Sequence, residues 1–252
     1  MPSVASGLLT AHLKIRVGER PLEADLTVPR GAVKPVQLLP VLQSLSDAVV
    51  ARAVQDSERE GLAVSCRKGC GACCRQVVPV SEVEAHHVGA LLDSTPEPRR
   101  SLLVARFREA GVRLREAGLL ERLRDPQGLS GPDRLELGLA YFGLGIPCPF
   151  LEDESCSIHR DRPLACREYL VTSPAAGCAR PTAEAVHLVP MPVKVSVALF
   201  RSGQGAGPGE SRWVPLVLAP EWTDSHDQPG ARPAPGMLEE ILKNLATTSA
   251  RP

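Results

Sequence analysis

Nine residues constrain this chain more than any others: Cys66-Arg67-Lys68-Gly69-Cys70-Gly71-Ala72-Cys73-Cys74 carries four thiols. The remaining cysteines, Cys148, Cys156, Cys166 and Cys178, form a second block, and none lies between or outside the blocks. Thiolates two residues apart can face one ion, because a tight turn folds the backbone around it. Cys70 and Cys73 have that spacing, with Cys66 four residues earlier. A regular helix would put 66, 70, 73 and 74 on one face. Gly69 and Gly71 oppose a regular helix and favour a turn with backbone N–H groups facing sulfur. The Cys73-Cys74 doublet suits one tetrahedral ion poorly, so one of the two binds a second metal, bridges or stays free. Two blocks of four imply a metal site assembled from two distant pieces of chain, with all eight cysteines as candidate ligands.

The alternative for eight cysteines is a disulfide framework, and it needs an oxidising compartment. Met1 to Arg20 lacks a basic start followed by an apolar stretch, so no export signal is read and a cytoplasmic setting is expected. No apolar run approaches the roughly 18 residues of a membrane span. Lys+Arg and Asp+Glu are equal at 29 each, so charge gives no ground for a nucleic-acid or membrane partner. At 252 residues the chain can bury a substantial core.

Ala11–Val17 and Leu22–Val28 alternate around Gly18-Glu19-Arg20-Pro21, which predicts a hairpin with a turn of about four residues. Leu42, Leu45, Val49 and Ala53 predict a helix over 38–61. Ser81 and Glu84 make a capping box for a helix to about Asp93. A further helix is expected from Thr95-Pro96 to about Arg124, and another over 133–142. His86 and His87 are read as solvated surface histidines, since neighbours on a helix point in different directions. His159, three residues after Cys156, is read as a hydrogen-bonding neighbour of the site. Arg160, Arg162 and Arg167 are candidate donors to thiolates. Pro163 suits the first turn of a short helix carrying Cys166. Residues 187–200 alternate in their second half and predict a strand, with 212–218 pairing back on it. Gly203-Gln204-Gly205-Ala206-Gly207 between them lacks the following helix and acidic partner of a nucleotide loop. The last helix is expected over 236–246.

The expected fold is α+β: mostly helical, with a metal-organised cysteine-rich core and a small β component from both chain ends. Residues 1–61 read as a hairpin and helix, 62–180 as the metal-binding core, and 181–252 as a strand region and helix packed on it.

CxxxCGxCC over Cys66–Cys74, followed by CPFL at Cys148, CSIH at Cys156, RPxxCR ending at Arg167 and then Cys178, resembles the YkgJ-like cysteine-cluster family. That resemblance implies chelation of zinc or iron, an Fe–S cluster being one form the iron could take. It covers Cys66 to Cys178 and is similar to the cysteine-rich part of flagellin lysine N-methylases, which opens a protein-modifying enzyme as the alternative. The Cys66, Cys70, Cys73 spacing also resembles radical S-adenosylmethionine enzymes, though Ala72 replaces their usual aromatic residue and repeated βα units are missing. A motif needs its structural context, so whether the chain is an enzyme stays open, and the sequence names no protein partner.

Overall fold

The computed structural model describes residues 7–17, 20–182, 184–202 and 212–248. Gly18-Glu19 and the glycine-rich 203–211 lie outside the described residues. The chain opens with β1 (Leu8–Val17) and β2 (Arg20–Pro29), an antiparallel pair in register Val17↔Arg20, so the link is two residues rather than four. β3 (Ala32–Val33) follows, then a 3₁₀ turn over Pro35–Leu38 and α1 (Leu39–Arg59). After the first cysteine block come β4 (Pro79–Val80) and α2 (Glu82–Ser94). Ser81 Oγ accepts from the Glu84 N–H at 3.1 Å while Glu84 Oε2 accepts from the Ser81 N–H at 2.9 Å, so the expected capping box forms.

The long helix expected to about Arg124 is two, α3 (Arg99–Glu116) and α4 (Leu120–Arg124). Gly118 lies at φ +70 and the Leu119 N–H reaches back to the Leu114 carbonyl. This is a left-handed helix stop that glycine adopts freely. α5 (Gly131–Gly143) is capped by Ser130, whose Oγ accepts from the Asp133 N–H.

The second cysteine block folds as β5 (Leu151–Glu152), β6 (Ser155–Cys156) and α6 (Leu164–Glu168). The strand expected over 187–200 is not formed. Its second half is α7 (Val195–Phe200), while Leu188 bridges Val171. Burial decides this: Val195, Ser196, Ala198, Leu199 and Phe200 are all buried, so the alternation in the sequence does not mark one buried and one exposed face. Residues 212–218 bond back to it through the Arg212 N–H, which donates to the Phe200 carbonyl at 2.8 Å, but their strand, β7 (Val214–Pro215), pairs with β4. α8 (Ala219–Thr223), β8 (Arg232–Pro233) and α9 (Ala234–Ala246) complete the chain.

The described structure is 52% helical with small two-stranded sheets, the expected α+β class. β3 pairs with β8, so the two ends of the chain do share a sheet. They also share a core. Leu26, Leu42, Leu45, Leu199, Met237 and Ile241 belong to one buried cluster, which includes Leu164 of the cysteine-bearing α6. A fully buried leucine contributes about 1.5–3 kcal/mol, so Leu164 ties α6 to that scaffold.

Candidate metal centre

The cysteine-bearing elements are placed by different means. α6 is only five residues long, too short to hold itself. Three neighbours hold it. Glu84 is buried at the start of α2, and its Oε1 accepts from the Leu164 N–H at 2.7 Å. Glu168, also buried, accepts from Ser196 Oγ at 2.5 Å, the Ser196 N–H at 3.2 Å and Ser46 Oγ at 3.4 Å. Burial pushes both carboxyls up, and these hydrogen bonds pull back toward the ionised form. Arg167 donates from Nη1 to both oxygens of Asp47 at 2.9 Å, and its other nitrogens reach the carbonyls of Arg160 and Arg162. Arg167, a candidate thiolate donor by sequence, is thus engaged elsewhere.

The first block is a run of turns. Gly69 takes φ +85, and Ala72–Arg75 form one 3₁₀ turn, so the glycines do exclude a regular helix. A Cβ on Gly71 would meet Glu154 Oε2 at 2.5 Å and Leu151 Cδ1 at 2.8 Å. Glycine therefore lets this loop close onto the β5–β6 hairpin. Arg75 secures the contact with two bonds to Glu154, at 2.9 and 2.7 Å, and one to the Gly71 carbonyl. The blocks are joined directly by the Cys148 N–H, which donates to the Cys74 carbonyl at 2.7 Å. Ser65, just before Cys66, is tied to Val171 and Ser173, seven and five residues before Cys178.

All eight cysteines are free thiols, with Cys178 buried and the rest half-buried. Their electrostatic neighbours map the cluster. Cys178 feels Cys66, Cys70 and Cys73. Cys166 feels Cys148, Cys156 and Cys73. Cys74 feels Cys73, Cys148 and Cys166. The two blocks are therefore interleaved, with Cys73 common to both sides. Burial raises Cys148 to about 12 and Cys166 well above the ordinary thiol value of 9. The Cys74 thiol hydrogen-bonds Cys73 and holds it down to about 7, which raises Cys74 in turn.

Donors to sulfur come from both blocks, the Cys73 N–H in the first turn bonding its own sulfur. The N–H groups of Phe150, Ile158 and Val171 bond Cys148, Cys156 and Cys66. Arg162 is the cation that lowers Cys66, Cys73, Cys156 and Cys166. As the side chains lie, no three His, Cys, Asp or Glu groups among the described residues are closed into a metal-ready set. The donor set is a gathered pool of soft ligands with N–H and cationic support, the chemistry that thiophilic ions such as zinc and iron take.

Residues 65–184 match a family model. It is the model of the CxxCxxCC family, described as a putative zinc- or iron-chelating domain. The match spans both cysteine blocks of the CxxCxxCC segment and just under half of the chain. No curated protein and no solved structure matches the chain. No helix among the described residues is long and apolar enough to cross a membrane.

The histidines stand apart from the thiols. His86 packs edge-on to Trp222 at 5.3 Å, and His87 Nε2 faces Asp161 at 3.7 Å. Both Nε2 atoms are buried without a hydrogen-bond partner, so these are not the solvated histidines expected. His159 is exposed, and the charges it feels are Arg162, Arg167 and Asp47 rather than a thiol. Sequence reasoning missed Tyr169, which takes a 3.2 Å hydrogen bond from Gln76 and senses Cys178, Cys73 and Cys66. Its one signal was its place two residues beyond the RPxxCR motif. The anchoring role of Glu168 was missed too, because its partners lie 28 and 122 residues away.

Proposed function

We propose that residues 62–180 bind two thiophilic metal ions, zinc or iron, in adjoining tetrahedral sites. Cys66, Cys70, Cys73 and Cys178 would supply one, and Cys74, Cys148, Cys156 and Cys166 the other. The observation that carries this reading is the place of Cys73, which is electrostatically coupled to thiols of both groups and hydrogen-bonds Cys74. The doublet that suits a single ion poorly then serves two. Each site draws on both sequence blocks, which fits the direct bond from the Cys148 N–H to the Cys74 carbonyl. When bound, such ions would hold the cysteine turns together, as closed four-thiolate sites do. Arg162 offsets part of the negative charge of the thiolates, and the Phe150, Ile158 and Val171 N–H groups orient three sulfurs. Eight free thiols accord with a reducing, cytoplasmic setting.

The test is metal and acid-labile sulfide analysis of anaerobically purified protein. The reading expects about two zinc or iron ions per chain without sulfide, at four thiolates per ion. Cys70→Ser and Cys156→Ser should each remove one ion. Stoichiometric sulfide would replace this reading with an Fe–S cluster, and a single ion lost in both variants would replace it with one shared centre.

A further inference from the structure

A cavity of about 260 Å³ opens beside the thiols, between α6 and α7. Cys73 and Cys166, from different blocks, both stand in its wall. Most of the remaining wall is apolar, Val78, Met191, Val197 and Phe200 among it. Two cations also line it, Arg162 and Lys194. Arg162 Nε is buried with no hydrogen-bond partner. Among the described residues neither cation has a carboxylate partner, although sixteen ion pairs form elsewhere. The wall's own carboxylate, Glu168, is already taken by Ser46 and Ser196. A second cavity, of about 350 Å³, shares Gln76, Val77, Pro79 and Tyr169 with the first.

Apolar walls with a few convergent polar groups are the composition of a small-ligand site. A buried guanidinium edge without a partner is costly unless something accepts from it. Its planar fork matches a carboxylate, which a neutral or cationic ligand could not supply. We propose that this cavity binds a small organic acid, with its carboxylate on Arg162 and Lys194 and a short hydrocarbon body against Val78, Met191, Val197 and Phe200. The ligand would lie next to Cys73 and Cys166, so the inference extends the metal-binding reading, but the cavity itself is formed by the protein.

The probe is hexanoate, titrated by calorimetry into the metal-loaded full chain, with hexanol and acetate as controls. Metal content is measured on the same samples, so failure of the metal reading and failure of this one are separate results. Hexanoate should bind at least about tenfold more tightly than either control, a difference of one charged contact or one apolar body. Arg162→Gln should abolish the preference for hexanoate over hexanol. Val197→Trp should remove hexanoate binding by filling the cavity. Lys194→Gln, at an exposed position, should weaken hexanoate a few-fold with metal content unchanged, and it carries the test if Arg162→Gln does not fold. Equal affinity for hexanoate and hexanol in the native chain would overturn the proposal. So would hexanoate binding unaffected by Val197→Trp and Lys194→Gln.

Discussion

The segment around Cys166 and the segment from Cys66 to Cys74 both carry candidate ligands, on unequal foundations. In α6, Leu164, Arg167 and Glu168 are buried and bonded to α1, α2 and α7. Between Leu62 and Pro79 only Gly71 is buried. That stretch is held by Ser65, by the Cys148–Cys74 backbone bond and by the exposed Arg75–Glu154 pair. The scaffold therefore positions Cys166 before any ion arrives. On the proposed metal-binding reading the first block would be positioned largely by what its sulfurs bind, since a metal–thiolate site can supply on the order of 10 kcal/mol.

The sharpest way to break this contrast is Leu164→Ala. It opens a cavity under α6 and should cost about 2–5 kcal/mol. Urea unfolding should show that loss in chelated and metal-loaded protein alike, because the leucine belongs to the scaffold. Gly71→Ala should be milder and one-sided. The new methyl group displaces flexible ends of Glu154 and Leu151 and crowds the Glu154 backbone at 3.3 Å, about 1 kcal/mol at the low end of overpacking costs. Metal affinity measured by chelator competition should fall, while the chelated protein should unfold almost as before. Arg75→Ala should act in the same direction and more weakly, since its partner Glu154 is exposed and solvent screens the pair.

A pH experiment sharpens the scaffold side. Glu84 and Glu168 are both raised above the ordinary 4.5, burial being the first cause. The folded state thus holds their protons more strongly than the unfolded chain. Their contribution to stability is full below about pH 4.5 and is lost as pH rises through the folded values. Glu168→Gln, which cannot ionise, should flatten part of that decline in melting curves of chelated protein recorded upward from pH 4.5. An unchanged slope would mean that Glu168 titrates as it does when unfolded.

Local chemistry was legible in the sequence where local chemistry decided the outcome. The Ser81–Glu84 box, the alternation of β1 and β2 and the spacing of Leu42, Leu45 and Val49 act over a few residues, and all three elements form. The cysteine spacing pointed for the same reason to the family model that residues 65–184 match. Long-range partners were not legible. Val195–Phe200 looks like a strand by its β-branched alternation, yet Glu168 accepts the Ser196 N–H and hydroxyl and the segment is buried as a helix. Three arginines near Cys166 looked alike as thiolate donors. Only the fold shows Arg167 turned to Asp47 and Arg162 left facing sulfur. Glu84 read as a cap and proved also to be an anchor for Leu164.

The central claim is that metal, and not packing, holds the first cysteine block against a preformed α6. Hydrogen exchange on metal-loaded and chelated protein tests it most directly. Amides of residues 65–76 and Cys148 should be protected with metal and exchange at least about a hundredfold faster without it, a factor below what a thiolate site can supply. Amides of α6 and of Ser196 should stay protected in both forms. Equal protection of 65–76 in the two forms, or loss of α6 protection together with it, would contradict the account.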